Sequence, residues 1–314
     1  MPEFKLSTPV AFIIFNRPDT TERVFTEIAK AKPTKLLVVA DGARTDKVGE
    51  AEKVAATRAI IDRVDWDCEV LTNYSDVNLG CKHRVSSGID WVFEQVEEAI
   101  ILEDDCLPDP TFFRFCHELL EYYRYDQRIG MIKGNNFLFG QQRNNDSYYF
   151  SKYCIIWGWA TWRDRWINTY DVKITKWPAI LADDWLPDLL GDSKQVAYWR
   201  NIFDRTYNNL IDTWDYQWFF TNLVEGRLSI TPHVNLISNI GVGVDATHTK
   251  DDCIVLNIPT KLISFPLTHP LGVFQNSQDD KRVDQIFFHT SFLIRFRNKA
   301  LRIRKKLTDW MLIN

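Results

Sequence analysis

Apolar residues over the first hundred positions come in two alternating rhythms. PVAFIIF (9–15), KLLVVAD (35–41), DCEVLTNY (67–74) and EAIILEDD (98–105) are runs of strand length. Between them, residues 18–31, 49–64 and 81–96 repeat apolar positions at helical spacing, as Val24, Phe25 and Ile28 do, and Pro18 suits a first helical turn. Strands and helices in turn predict βαβ units with right-handed crossovers. They build an α/β fold with a mostly parallel sheet covered by helices on both faces.

After residue 105 the rhythm changes. Residues 109–126 predict a helix with Phe113, Cys116, Leu120 and Tyr123 on one face, and IGMIKG (129–134) a strand. WGWATWRDRW (157–166) packs four tryptophans around Gly158. Residues 195–226 predict helix ended by Gly226, followed by strands RLSITP and VNLIS and a polar loop over 239–252. The division expected is residues 1–108 as a first α/β half, 109–265 as a second half of the same domain, and 266–314 as an extension.

Composition adds little until its distribution is considered. The chain has 314 residues, 45% apolar, and a net charge of −4, which argues against a nucleic-acid partner. Residues 290–314 reverse that sign, with seven basic residues against Asp309 alone. Phe292, Leu293, Phe296, Ala300, Ile303 and Leu307 fall near one helical face there, which predicts a basic amphipathic helix and peripheral contact with an anionic membrane face. The six cysteines show no metal-type spacing, and neither a signal peptide nor an 18-residue apolar run is present, so a cytoplasmic protein is expected.

Candidate chemistry collects where strands end, the edge at which parallel sheets bind ligands. Asn16 and Arg17 follow the first strand, Asp41 the second, and Glu103, Asp104 and Asp105 the fourth. Three adjacent carboxylates beside a buried strand call for a positive partner, either a basic side chain or a hard divalent cation such as Mg²⁺ or Mn²⁺ with substrate phosphates completing its shell. Lys82, His83 and Arg84 stand at a helix start suited to an anion. Phosphate-loop and dinucleotide glycine motifs are absent. For a general base, Asp183, Asp184, Asp212 and Asp215 have equivalent local chemistry, each near tryptophan.

In order along the chain, FNRPDTTERVF, VVADG, HRVSSGIDWVF, LEDDCLPDPTFFRF, WGWATW and WDYQW…EGRLSITP resemble the GT-A-fold glycosyltransferases of the N-acetylglucosaminyltransferase I type and the bacterial sugar transferases similar to them. The resemblance spans roughly residues 9–250. It implies an inverting, metal-dependent transfer of a hexose or N-acetylhexosamine from a UDP-type nucleotide sugar to a glycan or lipid-linked glycan. It implies Arg17 (beside Asn16) and Asp41 at the nucleobase, and Arg84 at the diphosphate, where the family has histidine. Glu103 falls on the donor sugar, Asp104 on the ribose and Asp105 on Mn²⁺ or Mg²⁺. Gly158, Trp159 and Trp214 fall in substrate segments, and Asp215 on the base. His248 falls in a loop (239–250) that closes over donor. Two other classes stay open: a nucleotidyltransferase making sugar nucleotides, disfavoured because FNRPDTT lacks a glycine-rich basic loop, and a non-catalytic sugar-binding module.

Overall fold

The structure, a computed structural model, describes residues 4–241 and 255–286. The loop from residue 242 to 250, with His248, and the basic segment 290–314 lie outside the described residues. The first half runs β1 (Val10–Ile14), α1 (Pro18–Ala31), β2 (Lys35–Ala40), α2 (Glu50–Ala59), a 3-10 turn (Ile60–Arg63), β3 (Glu69–Tyr74), α3 (Gly80–Gln95), β4 (Glu98–Glu103) and β5 (Cys106–Pro108). The second half runs α4 (Pro110–Tyr123), β6 (Ile129–Lys133), β7 (Tyr148–Ser151), β8 (Trp159–Trp162), α5 (Arg163–Trp166), α6 (Trp177–Ala182), α7 (Leu186–Leu190), α8 (Ser193–Tyr207), α9 (Asp215–Val224), β9 (Leu228–Pro232) and β10 (Ile237–Asn239). Residues 277–286 are also helical.

One eight-stranded sheet crosses both halves in the order β3-β2-β1-β4-β8-β6-β9-β7. Strands β3, β2, β1 and β4 are parallel, and β6 and β9 pair in parallel, while β8 and β7 run against their neighbours. Strand alternation explains the continuous apolar run of β1. Val10, Phe12 and Ile14 join a core with α1 and α4, whereas Ala11 and Ile13 join a core with α3, Trp166 and Trp218 on the other face. As an edge strand, β3 leaves Glu69 and Val70 exposed.

Two local expectations change, and both changes shape the site. The helix expected over 195–226 is two helices, because the chain leaves α8 at Asn208, takes a left-handed turn at Asn209 and re-enters helix only at Asp215. The strand expected at VNLIS shortens to β10 and joins β5 in a separate antiparallel ribbon. Asn239 thereby sits opposite Cys106, and the Ile240 amide donates to the Asp105 carbonyl at 2.8 Å. Segment 266–286 folds back on the sheet. Gln275 bridges Phe150, and the buried carboxylates of Asp280 and Asp284 take hydrogen bonds from Ser151 and Tyr153.

Candidate functional site

Strand order reverses between β1 and β4: the chain steps from β1 outward to β2 and β3, then returns to the other side of β1. Chains of this kind open a crevice at that point, past the carboxyl ends of the strands. Arg17, the residue that caps α1 just after β1, and the acidic triplet ending β4 flank it. Arg17 answers the need for a positive partner. One arm of its guanidinium fork bonds Asp104, and Nη1 donates to Asp105 Oδ2 at 2.8 Å. Asp104 also accepts from the Phe15 amide at 3.1 Å, and its residue is 2% exposed.

The electrostatics follow from that packing. Burial by itself lowers the Arg17 guanidinium, but Asp104 and Asp105 outweigh it and the net effect is upward. Burial raises Asp104 to about 6 against the pull of Arg17. Glu103 is pushed well above the usual carboxylate range, by burial first and then by Asp105 and Asp104. Its Oε1 is buried and has no hydrogen-bond partner among the described residues.

Beside this group lies a cleft of about 270 Å³, near the lower end of the ~300–1,000 Å³ common for small-ligand sites. Arg17, Glu103 and Asp105 line it from the sheet, and Thr213, Trp214 and Asp215 from the break between α8 and α9. The Thr213 hydroxyl donates to Asp215 Oδ1, which fixes that carboxylate at the start of α9. Asp183 and Asp184 are exposed at the end of α6 and do not line the cleft. Asp212 is committed elsewhere: its Oδ1 accepts from the Lys82 amide at 3.1 Å, at the first turn of α3. The anion at that helix start is thus the chain's own carboxylate, and Lys82 Nζ is bonded to Asn209 at 2.8 Å.

Several residues expected at the donor carry structural contacts. Arg84 is 5% exposed, and its guanidinium bonds the carbonyls of Ala40 and Asn73 and the Asn73 side chain, clamping the ends of β2 and β3. Asp41 accepts from the amides of Gly42, Leu79 and Gly80 and from Asn78 Nδ2, so it builds the turn into α3. Asn16 donates to Glu50 at 2.8 Å. Neither Arg84, Asp41, Asn16 nor Asp104 lines the cleft. Trp159 is fully buried and stacks on Trp214, with ring centroids 5.8 Å apart, inside a cluster with Trp166 and Trp218. It backs the cleft wall that Trp214 presents. Gly158 serves backbone approach: at φ +60°, an added Cβ would fall 2.4 Å from Ile237 Cδ1.

Sequence reading left Cys81, Thr213 and Asn239 out of the site, and placed Gly241 only within a polar loop. All four line the cleft. Burial, then Glu103 and Asp215, push the Cys81 thiol up, which keeps it neutral. An added Cβ at Gly241 would lie 2.2 Å from Asp105 Oδ2 and 2.9 Å from Arg17 Nη1, so the Arg17–Asp105 pair packs directly against this glycine. Its signal was the glycine itself, which permits close backbone approach.

The donor set suits a hard divalent cation held with substrate oxygens. Among the described residues, no group of three or more His, Cys, Asp or Glu is arranged to hold a metal by itself. Asp105 offers one carboxylate toward the cleft, and its Oδ1 takes the Cys106 thiol at 3.5 Å. Glu103 adds a buried oxygen without a partner beside it. A single carboxylate with open positions is what Mg²⁺ or Mn²⁺ bound through phosphates requires.

No family model and no curated protein matches the chain. Among solved structures, a UDP-glucose pyrophosphorylase complexed with UDP-glucose matches with a TM-score of 0.27 and 10% identity, over 50% of this chain and 69% of that one. A superposition that loose transfers nothing to this chain; its assignment as a mixed α/β protein with a mostly parallel, helix-flanked sheet rests on its own strand order and registers.

Proposed function

We propose that the chain is an inverting glycosyltransferase that uses a nucleoside-diphosphate sugar, with UDP favoured by the family resemblance, and a divalent cation at Asp105. The observation that carries this reading is the meeting of Glu103 and Asp105 with Asp215 in one cleft, from segments over a hundred residues apart. Glu103, which lines the cleft, is suited to hydrogen-bond a donor-sugar hydroxyl. Asp215, oriented by Thr213, is suited to take the proton of the acceptor hydroxyl as its oxygen attacks the anomeric carbon. Tyr216, half-buried at the cleft, supplies apolar surface for a sugar ring. A bound Mn²⁺ or Mg²⁺ supplies charge neutralisation on the departing diphosphate.

The turn after β1 also favours transfer over nucleotidyl chemistry. Arg17 and Pro18 enter α1 directly, with no glycine-rich loop to wrap a triphosphate. The test is incubation with a panel of sugar nucleotides, glycan acceptors, sugar phosphates and nucleoside triphosphates, with and without Mn²⁺. Nucleoside diphosphate released together with a glycosylated acceptor is the expected result, and Asp105→Asn should remove it. Pyrophosphate from a sugar phosphate and a triphosphate would replace the reading with a nucleotidyltransferase; neither product would leave a binding module.

A further inference from the structure

The Arg17 ion pair has a consequence for that cation. Arg17 spans two carboxylates with one rigid fork, through Nη2 to Asp104 and Nη1 to Asp105. The two contacts are not equivalent. Asp104 is buried and holds the Phe15 amide as well, so it anchors the arginine to the end of β1. Asp105 is the cleft-lining partner, and its Oδ2 and Arg17 Nη1 lie so close to Gly241 that a Cβ there would overlap them. A cation that draws Asp105 Oδ2 into its shell therefore competes with Nη1 for that oxygen's charge.

We infer that Arg17 is the resident counter-ion of Asp105 and competes with the divalent cation for it, while its bond to Asp104 keeps it in place. The inference rests on the metal reading of Asp105. Among the described residues that line the cleft, Arg17 is the one basic side chain beside the carboxyl groups of Glu103, Asp105 and Asp215. Metal entry releases Nη1 into that cleft, where it becomes a second cationic donor for the phosphates of the incoming nucleotide. Arg17 thereby sets cation affinity: the free protein holds metal weakly, and an anionic ligand that engages the released Nη1 strengthens the hold. Arg17 is a positioning residue, and the readout is metal binding rather than turnover.

The experiment titrates Mn²⁺ alone into full-length wild type, Arg17→Gln, Arg17→Lys and Asp105→Asn, reading free Mn²⁺ by electron paramagnetic resonance. Both Arg17 variants should bind Mn²⁺ about 10- to 100-fold more tightly than wild type, the range that one charge-assisted hydrogen bond represents. Arg17→Lys is the discriminating variant, because lysine keeps the charge and loses the fork. Tighter binding by Arg17→Gln with Arg17→Lys equal to wild type would reduce the effect to charge repulsion and overturn the competition. Loss of binding in Asp105→Asn with both Arg17 variants equal to wild type would overturn it too, leaving the metal reading intact. Asp105→Asn binding as wild type does, or no Mn²⁺ binding by any of the four, would remove both. Should an Arg17 variant fail to fold, wild type decides: Mn²⁺ should raise the rate at which phenylglyoxal modifies Arg17, mapped by mass spectrometry. An unchanged or lower rate overturns the inference.

Discussion

Asparagine at Asp215 keeps the shape of the side chain and the contact from Thr213 but cannot take a proton. Turnover should fall about 10²- to 10⁴-fold, with donor binding little changed. Asp183→Asn, on an exposed side chain away from the cleft, serves as the comparison and should keep wild-type rates. A larger loss at Asp183 than at Asp215 would reverse the assignment of the base. Gly241→Ala is the complementary change. Its methyl would overlap the Asp105 carboxylate and crowd Arg17, so the pair must shift. Misplacement on that scale should lower turnover by about 10²-fold while the melting temperature stays close to wild type; unchanged turnover would show that Asp105 tolerates displacement.

At the scale of elements, two buried polar groups stabilise the scaffold. Arg84 ties α3 to the carbonyl ends of β2 and β3. Arg84→Met should cost about 1–3 kcal/mol for each buried acceptor it strands, seen as a lowered melting temperature with donor KM unchanged. A selective rise in donor KM without loss of stability would instead return Arg84 to the diphosphate. Helical segment 277–286 docks through Asp284, which accepts from Tyr153 and Gln195. Burial first, then Asp280 and Asp192, raise its carboxyl to about 6 from 3.8, against the pull of Tyr153 and Lys152. The folded state thus holds a proton that the unfolded chain releases earlier. This stabilising contribution is complete below pH 3.8 and is lost as pH rises through about 6. Between those values the melting temperature of wild type should fall more steeply with pH than that of Asp284→Asn; parallel curves would contradict the shift.

For the whole molecule, the basic amphipathic pattern of residues 290–314 motivates a membrane prediction that the described residues do not reach. Among those residues no helix is long and apolar enough to cross a membrane. The full chain should float with anionic vesicles at low salt and detach at high salt, each Lys or Arg contributing about 1 kcal/mol near the surface. A chain shortened after Ile286 should not float. The cut falls after Ile286 because Asp280 and Asp284 complete a buried network with Ser151, Tyr153 and Gln195. Equal flotation of the two forms would remove the membrane contact and leave the catalytic reading untouched.

The sequence by itself determined the alternation of β1 through β4 with their helices, because an apolar run or a 3.6-residue period is a local property that any buried sheet or helix face must show. It also determined that acidic side chains stand at the end of β4, since strand length follows from the same run. Partners were a different matter. Asp105 and Arg17 are 88 positions apart, and Arg84 and the Ala40 carbonyl 44. A buried polar group goes wherever geometry supplies its hydrogen bonds, which side-chain type alone does not disclose. That is why the scaffold contacts of Asp41, Arg84 and Trp159, which the resemblance placed at the donor, could not be read from their types alone. Among four equivalent aspartates, only the break at 208–214 decided that Asp215 shares the cleft with Asp105 while Asp212 closes the start of α3. Gly241 became a site residue only when β10 paired with β5 and carried it over Asp105, a long-range pairing that no local pattern encodes.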